Sequence, residues 1–404
     1  MRLLNKKKIL IGITGGVAAY KIPNLVRELI KLNCEVKVIL SESATHFITP
    51  YTLKILTKND VFIDQFETID KGKIIHTSLA NWPDLYVIVP ATANTIAKIT
   101  YGISDNLITL FPLSSNTKIL IVPSMHTNMY ESKITQKNLS ILKERGYFIL
   151  EPETGELAGG DIGKGRLPEI ERILFEIIYI LYKKSFENKK IVITAGPTRE
   201  FIDKVRFISN PSSGKMGFEL ATESVLRGGE TILISGPTNL NPPPNLNFIR
   251  VDSAEEMYNE VSKYFDDANY LIMSSAVCDF KPIERFDEKI KKEDFSYELK
   301  LEPTIDILKE MGKRKKNQKL VGFALETQNV FENAMKKLIE KNLDMLIINT
   351  VSEESGFEVE TNKISIIKKN DPLIYNFPLL SKGDVAKIIF DFLEEIWIGY
   401  ILKI

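Results

Sequence analysis

Small and hydroxyl-bearing residues follow three apolar runs in the first half of this 404-residue chain. The run Gly12–Ala18 (GITGGVA) lets backbone N–H groups approach a phosphate closely, because glycine has no side chain to keep the phosphate away. Ser41 and Ser43 follow the second apolar run, and the run 90–95 (PATANT) follows the third. The carboxyl ends of parallel strands meet at one edge of an open α/β sheet. We therefore expect these residues to surround one phosphorylated, planar ligand.

The glycine run alone does not identify this ligand. It does not match the G-x-G-x-x-G fingerprint, and any strand-to-helix turn can use glycine for a positive φ. The strand predicted at Glu35–Leu40 is closed by Ser41 and not by an acidic residue that could hold an adenosine ribose, and Glu42 comes one position later. FMN therefore fits this half of the chain better than NAD. The predicted FMN contacts are Gly15, Gly16, Val17, Ser41, Ser43, Pro90, Ala91, Thr92 and Asn94.

A second strand–turn–helix opening begins at Lys190. Its turns contain Ala195–Glu200 (AGPTRE) and Ser209–Gly217 (SNPSSGKMG), which are dense in glycine and hydroxyl residues and lead into a helical pattern. This arrangement suits phosphate groups at a helix N-terminus, although two successive turns without a ligand would have the same composition. Lys337 and Lys341 are four residues apart on a predicted helix. Their ammonium groups can therefore reach one phosphate chain, or they form a solvated helix face.

The elements that must position these residues alternate between apolar runs and helical patterns, as in a mostly parallel sheet covered on both faces. The predicted strands are Ile9–Ile13, Glu35–Leu40, Leu85–Val89, Ile119–Val122, Lys190–Thr194, Glu230–Ser235, Asn269–Met273, Leu320–Ala324, Met345–Asn349 and Ile364–Lys368. The predicted helices are Val17–Ile30, Ala91–Ile99, Lys215–Arg227, Ala254–Phe265, Val330–Lys341 and Leu380–Leu393. The polar stretch KKSFENKK separates the two series. The chain is therefore predicted to form two doubly wound, Rossmann-like α/β domains, 1–184 and 185–404.

Composition excludes several classes of function. The 53 Lys and Arg residues balance 53 Asp and Glu residues, so no general attraction to nucleic acid or anionic lipid is expected. Two cysteines, Cys34 and Cys278, lie one in each predicted domain, which argues against a disulfide framework and cysteine-rich metal sites. The longest apolar segment, Ile173–Tyr182, is too short to span a membrane, and no signal peptide is visible. We expect a cytoplasmic protein with neither nucleic-acid nor membrane partners.

Longer motifs in the first half extend the three turns. They are ITGGVAAYK, SESATHFITP, the spaced run His76-x-x-Leu79-x-x-Trp82-x-Asp84, PATANTIAK, GISDNL and PSMHTNMY. With these motifs the chain resembles, over nearly its whole length, the bifunctional coenzyme A biosynthesis family, in which phosphopantothenoylcysteine decarboxylase is joined to phosphopantothenate–cysteine ligase. The resemblance implies a flavoprotein-type domain followed by a ligase-type domain. In the first domain, FMN would oxidise the substrate's thiol to a thioaldehyde, CO₂ would leave, and reduced flavin would reduce the enethiolate.

His76 is the catalytic base that the resemblance implies for the first domain. An imidazole titrates near neutral pH and suits proton movement to or from a thiol. Without the surrounding motif, His76 would be interpreted as a surface histidine. His126 and Met129 are implied substrate contacts, but His126 stands where the family has an asparagine that grips the substrate carboxylate. Its ring N–H can still donate to a carboxylate.

The flap of the decarboxylase also departs from the family pattern. Residues 158–166 read AGGDIGKGR, and Gly159 stands where the family has the cysteine that donates the last proton. Water or another residue would then donate this proton, or the step is slow. The alternative is an active ligase fused to a flavoprotein domain with impaired or no decarboxylase turnover. A non-enzymatic regulator would have an acidic tail that this chain lacks, and a dehydrogenase would require NAD.

In the second half the resemblance rests on SNPSSGKMG and on the runs 276–282 (AVCDFKP), 289–292 (KIKK), 304–307 (TIDI) and 322–327 (GFALET). It implies that CTP activates the carboxylate of 4′-phosphopantothenate as an acyl-cytidylate, which cysteine then attacks. Asn210 and Lys289 are the implied catalytic residues, and Arg206 would handle the acyl-cytidylate together with Asn210. The implied CTP contacts are Ser212, Gly214, Lys215, Ala276, Asp279, Lys289, Thr304, Ile305, Asp306, Ile307, Phe323, Lys337 and Lys341.

Roles within this CTP set follow from the same resemblance. Asp279 would contact the ribose, Phe323 and the run 304–307 would line the base pocket, and Lys289 would close over the triphosphate. Mg²⁺ is implied as the charge partner of CTP, and the sequence does not identify its ligands. The implied partners are small molecules and further copies of the chain, with a dimeric ligase and trimeric decarboxylase contacts, up to a dodecamer. The apolar tail 396–402 would serve association or cap the core.

Overall fold

The computed structural model describes residues 4–64, 66, 68–69, 73–290, 298–325, 330–350, 359–371 and 373–394. The predicted tail 396–402 and parts of the KIKK and GFALET runs lie outside these residues. Contacts divide the chain into two compact units, Met1–Tyr182 and Lys183–Ile404. This division falls two residues before the predicted boundary. No helix in the described ranges has the length and apolar character that a membrane crossing needs.

The first unit is built on a six-stranded, wholly parallel sheet. Across the sheet the strands are Val61–Phe62, Glu35–Leu40, Lys8–Ile13, Leu85–Ala91, Lys118–Pro123 and Phe148–Ile149. The strand order reverses between Lys8–Ile13 and Leu85–Ala91, which is where open α/β sheets bind ligands beyond the carboxyl ends of their strands. The predicted doubly wound fold is thus confirmed for this unit.

Helices cover both faces of the first sheet, and each face has its own cluster of buried apolar residues. The α-helices are Ile22–Lys31, Pro50–Thr57, Ile75–Leu79, Ala93–Tyr101, Leu107–Ser114, Thr127–Glu131, Lys133–Glu144 and Ile170–Leu181, and the 3₁₀ helices are Val17–Lys21 and Glu42–His46. A hairpin of Glu153–Glu156 and Ile162–Arg166 projects from this core, and Thr68–Ile69 pairs with Lys73–Ile74. The hairpin contains the predicted flap.

The second unit contains an eight-stranded sheet. Its strands, in spatial order, are Asn247–Arg250, Glu230–Ser235, Lys190–Ala195, Tyr270–Met273, Lys319–Leu325, Met345–Thr350, Thr361–Lys368 and Ile374–Ser381. The first six are parallel, and Thr361–Lys368 pairs antiparallel with both of its neighbours. Its α-helices are Lys215–Leu226, Ala254–Phe265, Ile307–Arg314, Val330–Glu340 and Lys382–Leu393. Two short antiparallel pairs, Arg199–Phe201 with Phe207–Ser209 and Phe280–Pro282 with Leu301–Pro303, complete it.

Two predicted helices begin later than the sequence pattern indicated. The segment predicted as one helix at Val17–Ile30 starts as the 3₁₀ helix Val17–Lys21, and the α-helix begins only at Ile22. Pro23 then lies in the first turn of the α-helix, which is the part of a helix that accepts proline. The helix predicted from Leu380 begins at Lys382, because Leu380 still belongs to the last strand. Ser381 caps this helix by accepting a hydrogen bond from the Asp384 N–H at 3.1 Å.

A buried charge cluster joins two helices of the second unit. Arg227, which is 4% exposed, follows the helix Lys215–Leu226. Its guanidinium donates to Glu223 Oε1 at 2.7 Å and to Asp391 Oδ1 at 2.6 Å, and it also pairs with Glu394. Asp391 lies on the helix Lys382–Leu393 and Glu394 directly follows it. The cluster therefore connects the two helices that cover one face of the sheet.

Candidate active sites

The first candidate site lies where three strands of the first unit end. Thr14 Oγ1 donates to the Pro90 carbonyl oxygen at 2.6 Å and accepts from the Thr92 N–H at 3.1 Å. The Ser41 N–H donates to the Ile13 carbonyl oxygen at 3.0 Å. These bonds hold together the three turns that the sequence singled out. The expected meeting of small-residue turns at one sheet edge is present.

Gly15 is required by the close approach of two of these turns. A Cβ atom built on Gly15 would overlap the Ser43 side chain, and the Ser41 and Ser43 hydroxyl oxygens are 3.1 Å apart. Gly16 faces a looser region, where its Cβ atom would lie 3.7 Å from Pro90 Cγ. The chain therefore presents backbone and two hydroxyl groups here, with no bulky side chain at either glycine.

The remaining predicted FMN contacts border this edge. Thr92 caps the helix Ala93–Tyr101 by accepting from the Thr95 N–H at 3.3 Å, and Asn94 lies exposed in the first helical turn. Val17 is 48% exposed, whereas Ala91 is buried at the end of its strand. Hydroxyl groups, a carboxamide and a helix N-terminus suit the phosphate and ribityl groups of FMN, and an exposed apolar side chain suits its ring. The residues present therefore fit this cofactor.

His76 lies on a separate element, the short helix Ile75–Leu79. Its Nδ1 atom is buried and forms no hydrogen bond within the described part of the chain. Thr127 Oγ1 is likewise buried and forms no hydrogen bond with the described residues. Leaving buried polar atoms without partners costs stability, so such atoms point to a ligand or proton-transfer role.

The flap hairpin is seated on the segment that follows the strand Lys118–Pro123. The Met125 N–H donates to the Gly165 carbonyl oxygen at 3.0 Å. A Cβ atom on Gly165 would overlap the Met125 carbonyl oxygen, and one on Gly163 would overlap Thr127 Oγ1. The two glycines therefore permit close seating of the flap.

The two departures from the family pattern meet at Asp161. His126 Nε2 lies 3.2 Å from Asp161 Oδ2, and a Cβ atom on Gly159 would lie 3.7 Å from the same oxygen. His126 Nδ1 accepts from the Asn128 N–H at 3.3 Å, so Nε2 carries the proton that is donated to Asp161. Met129 is 49% exposed beside this contact. The structure thus brings the substrate-contact segment and the flap position together.

The second candidate site is a cleft of about 590 Å³ in the second unit. It lies at the carboxyl edge of the eight-stranded sheet, where a ligand is expected in this type of fold. Asn210 and all predicted CTP contacts except Lys289 line this cleft, namely Ser212, Gly214, Lys215, Ala276, Asp279, Thr304, Ile305, Asp306, Ile307, Phe323, Lys337 and Lys341. Residues far apart in the sequence therefore surround one cavity.

The glycine turn places a helix N-terminus at this cleft. Gly214 has φ +78° and immediately precedes the helix Lys215–Leu226, a left-handed conformation that glycine adopts without strain. A Cβ atom on Gly217 would overlap the Ala195 side chain, so the first turn of this helix packs directly on the end of the strand Lys190–Ala195. The free N–H groups of a helix start attract phosphate oxygens.

Asn210 connects this turn to the next strand end. Its Nδ2 atom donates to the Val277 carbonyl oxygen at 3.0 Å and to the Ala276 carbonyl oxygen at 3.4 Å. The Thr304 N–H in turn donates to the Asp279 carbonyl oxygen at 2.9 Å. Three segments of the cleft wall are thus held by hydrogen bonds.

Two lysines of the cleft are paired with carboxylates. Lys341 Nζ lies 2.8 Å from Asp306 Oδ2, and Lys215 pairs with Glu360. Cys278 also lines the cleft, and burial raises the pKa of its thiol. A thiol that stays protonated is a poor nucleophile.

Arg206 and Lys289 are not among the residues that line the cleft. Arg206 donates to Asp203 Oδ2 at 3.1 Å and to the Ile290 carbonyl oxygen at 3.2 Å, and the Ile290 N–H donates to Asp203 Oδ2 at 3.3 Å. The structure therefore places Arg206 next to the backbone of the Lys289 loop, and neither residue is part of the cavity wall.

Comparison with known proteins identifies both units. A family described as Flavoprotein matches residues 1–181, and the family described as DNA/pantothenate metabolism flavoprotein C-terminal domain matches residues 186–396. The coenzyme A biosynthesis bifunctional protein CoaBC of Bacillus subtilis (strain 168) is 42% identical, and the match covers 98% of this chain and 97% of that protein. The chain belongs to the bifunctional coenzyme A biosynthesis family. It is an enzyme with a flavoprotein decarboxylase unit and a ligase unit.

Two further relatives match most of the chain. The coenzyme A biosynthesis bifunctional protein CoaBC of Haemophilus influenzae is 41% identical over 91% of this chain and 92% of that protein. A cysteine/cysteine sulfinic acid decarboxylase from an unknown prokaryotic organism is 45% identical over 84% of this chain and 96% of that protein.

Asn362 and Lys382 are among the cleft residues of the ligase unit that sequence reasoning missed. Asn362 lies on the antiparallel strand Thr361–Lys368, and Lys382 directly follows the strand Ile374–Ser381, which was not predicted. The pair Ser381 and Asp384, which caps the helix that begins at Lys382, was the available signal in the sequence.

Replacing Gly165 by alanine is expected to reduce decarboxylation about tenfold or more, because the added methyl group displaces the flap from Met125. The measurement is CO₂ release from supplied phosphopantothenoylcysteine. Pyrophosphate release by the ligase unit of the same variant is the internal control and should be unchanged. Wild-type CO₂ release in this variant would contradict the seating of the flap.

Proposed function

We propose that the second unit joins cysteine to 4′-phosphopantothenate with CTP, through an acyl-cytidylate. The first unit, holding FMN, then decarboxylates the product to 4′-phosphopantetheine. The observation that supports this most strongly is the cleft of the second unit, where a helix N-terminus, two paired lysines and residues from several strand ends surround one cavity. Such a cavity suits a nucleoside triphosphate with a carboxylate beside its α-phosphate.

The ligation has two balanced steps. The carboxylate oxygen of phosphopantothenate bonds to the α-phosphorus of CTP, and pyrophosphate leaves. The cysteine amine then bonds to the acyl carbon, CMP leaves and the amine loses a proton. Lys215, Lys337 and Lys341 would balance the phosphate charges, and Asn210 would hold the acyl-cytidylate between the turn and the Ala276–Val277 backbone.

Mg²⁺ is proposed to enter the cleft with the nucleotide. No group of three or more His, Cys, Asp or Glu side chains able to hold a metal occurs in the described residues. The phosphate oxygens of CTP are themselves oxygen ligands of the kind that Mg²⁺ prefers, with water and one or two protein groups completing its shell. We therefore propose that the phosphate oxygens of CTP provide most of the ligands of Mg²⁺.

In the first unit, Gly15, Gly16, Ser41, Ser43 and the run 90–94 would hold FMN. Bound FMN would supply the two-electron oxidation that loosens the substrate's carboxyl group. His76 would move the proton of the substrate, because its Nδ1 atom has no other partner in the described chain. His126 would donate its Nε2–H to the substrate carboxylate in place of Asp161, and the seated flap would exclude water.

The ligase proposal is tested with phosphopantothenate labelled with ¹⁸O in its carboxylate. An acyl-cytidylate leaves one labelled oxygen on CMP after cysteine attacks, and mass spectrometry of the released CMP detects it. Unlabelled CMP formed together with the amide would exclude the acyl-cytidylate. A product with CDP in place of CMP would mean that the carboxylate attacks a different phosphate.

Replacing Gly159 by cysteine is expected to speed formation of the saturated product about tenfold or more, because a thiol can donate the last proton. The site has room for the side chain, since a Cβ atom there meets only Asp161 Oδ2, at 3.7 Å. The matched control is Gly159→Ser, which has a similar size and a far less acidic proton. Chromatography and mass spectrometry of the product measure the effect, and equal rates in both variants would contradict it.

Homo-oligomers are also part of the proposal, with dimeric ligase and trimeric decarboxylase contacts in a cytoplasmic enzyme. Large apolar side chains are exposed on the first unit, and subunit contacts would remove such side chains from water. They include Tyr20, Tyr51, Ile55, Tyr101 and Ile134, each more than half exposed.

A further inference from the structure

Two residues of the antiparallel edge reach the ligase cleft. The strand Thr361–Lys368 runs against its neighbours, so its beginning lies at the edge where the parallel strands end. The next strand, Ile374–Ser381, reverses again and ends at that edge. Asn362 therefore stands at the start of one strand and Lys382 directly after the other, and both line the cleft.

Asn362 has a polar atom that the protein does not satisfy. The residue is 3% exposed, and its Nδ2 atom has only a weak contact with Met216 Sδ at 3.6 Å. Its Oδ1 atom is buried and accepts no hydrogen bond from the described residues. An unmet buried acceptor costs stability, so the arrangement points to a ligand that brings a donor or a cation. A carboxamide oxygen is a ligand of the type that Mg²⁺ and its bound waters prefer.

Lys382 adds a buried cation beside the partly exposed Lys215. Lys382 is 5% exposed and is the first residue of the helix Lys382–Leu393. Burial lowers its pKa, the nearby Lys215 lowers it further, and Glu360 acts in the opposite direction. A lysine at a helix N-terminus is also repelled by the positive end of the helix dipole. A phosphate group that enters the cleft would bring a further negative charge beside Lys215 and Lys382.

The two helix N-termini lie side by side. A Cβ atom on Gly383 would lie 3.2 Å from Glu219 Oε2, and Glu219 is one turn into the helix that begins at Lys215. Two helix starts and two lysines therefore face the same end of the cleft. The carboxylates of Glu219, Glu360 and Asp384 lie close to one another in this region, and Glu360 pairs with Lys215. The free N–H groups of the two helix starts and the two ammonium groups remain suited to phosphate oxygens.

Glu360 is the carboxylate that occupies Lys215 in this structure. Its side chain is 80% exposed, so it can leave the lysine at little cost. A polyphosphate entering the cleft would compete with it for Lys215. Glu360 is thus placed to oppose nucleotide binding, whereas Lys382 is placed to favour it.

We propose that Asn362 and Lys382, together with Lys215, hold the terminal phosphates of the nucleotide and the divalent cation bound to them, and that Glu360 leaves Lys215 when the nucleotide binds. Asn362 contributes its Oδ1 atom to the cation or to a cation-bound water. Lys382 contributes its ammonium group to the phosphate oxygens. The inference rests on the proposed function and assigns the polyphosphate end of the substrate to this edge of the sheet.

The test compares CTP with CMP, which lacks the terminal phosphates, by isothermal titration of the full-length holoenzyme with Mg²⁺. Lys382→Met should weaken CTP binding about tenfold, the loss expected for a charge-assisted hydrogen bond, and should leave CMP binding within about twofold. Glu360→Gln should tighten CTP binding about threefold and leave CMP unchanged. The matched control is Lys387→Met, which removes an exposed lysine from the same helix and should alter neither affinity.

A second measurement isolates Asn362. Mn²⁺ is used as the probe, and its binding in the presence of CTP is followed by electron paramagnetic resonance. Asn362→Leu should weaken this binding about fivefold, whereas Asn362→Asp should retain it, since a carboxylate oxygen also binds the cation. Equal Mn²⁺ binding by wild type and Asn362→Leu would overturn the role of Asn362.

The outcomes separate the inference from the proposed function. Wild-type binding of CTP with no loss in Lys382→Met would overturn the inference and leave the proposed function intact. If Lys382→Met weakens the binding of CTP and CMP equally, Lys382 has a structural role and the inference is overturned. Glu360→Gln is expected to tighten CTP binding, and this result does not depend on whether the Lys382→Met variant folds. Unchanged or weaker CTP binding by Glu360→Gln would overturn the role of Glu360. A wild-type protein that binds neither nucleotide would overturn both proposals.

Discussion

Replacing Asn210 by aspartate is expected to slow amide formation about 100-fold, because loss of the two bonds that fix the cleft wall would misplace the groups around the acyl-cytidylate. Asn210 holds the backbone of Val277 and Ala276 through its Nδ2 atom, at 3.0 and 3.4 Å. An aspartate cannot donate these bonds, and its charge would lie beside two carbonyl oxygens and the bound phosphates. The measurement is pyrophosphate release at saturating CTP, phosphopantothenate and cysteine.

Two controls accompany this prediction. Asn247→Asp makes the same chemical change at an exposed position of the edge strand Asn247–Arg250 and should keep wild-type rates. CO₂ release from supplied phosphopantothenoylcysteine should also be unchanged in the Asn210 variant. Pyrophosphate release within about threefold of wild type would contradict this role of Asn210, because misplaced reacting groups cause a far larger loss.

Replacing Arg227 by methionine is expected to lower the free energy of unfolding of the second unit by about 3–5 kcal/mol, because carboxylates are left buried without their partner. Arg227 is 4% exposed and pairs with Glu223, Asp391 and Glu394. For a unit of this size the melting temperature should fall by roughly 6–20 °C. Differential scanning calorimetry of the wild type and variant measures this shift.

The control for the charge effect is Arg250→Met, since Arg250 is exposed and stacks on Phe248 at the sheet edge. It should change the stability by less than about 1 kcal/mol. Adding Glu223→Gln, Asp391→Asn and Glu394→Gln to the Arg227 variant should recover part of the loss, because no buried charge then lacks a partner. An Arg227 variant as stable as wild type would contradict the account of this cluster.

The sequence predicted the parts of the fold that depend on local patterns. The predicted strands Glu35–Leu40 and Glu230–Ser235 agree with the structure, because a buried parallel strand is a mostly apolar run and each of these is followed by a small-residue turn. The turns around Gly15 and Gly214 were predicted for the same reason. Two mostly parallel α/β units are confirmed.

The sequence did not predict contacts that depend on register and edge pairing. His126, Asp161 and Gly159 meet only because the flap hairpin seats on Met125, and no local pattern fixes that register. Asn362 and Lys382 reach the cleft only because two antiparallel strands extend the sheet. The roles of the predicted site residues stay predictions, since the geometry brings the cleft residues together without testing their chemistry.

One measurement tests the central claim, that one chain forms an amide and then removes a carboxyl group. The purified holoenzyme is incubated with phosphopantothenate, cysteine carrying ¹³C in its carboxyl group, CTP and Mg²⁺, and all products are followed by mass spectrometry. We predict equal amounts of CMP, pyrophosphate and ¹³CO₂, with 4′-phosphopantetheine as the remaining product. A labelled phosphopantothenoylcysteine that persists without ¹³CO₂, or the absence of pyrophosphate, would contradict the account.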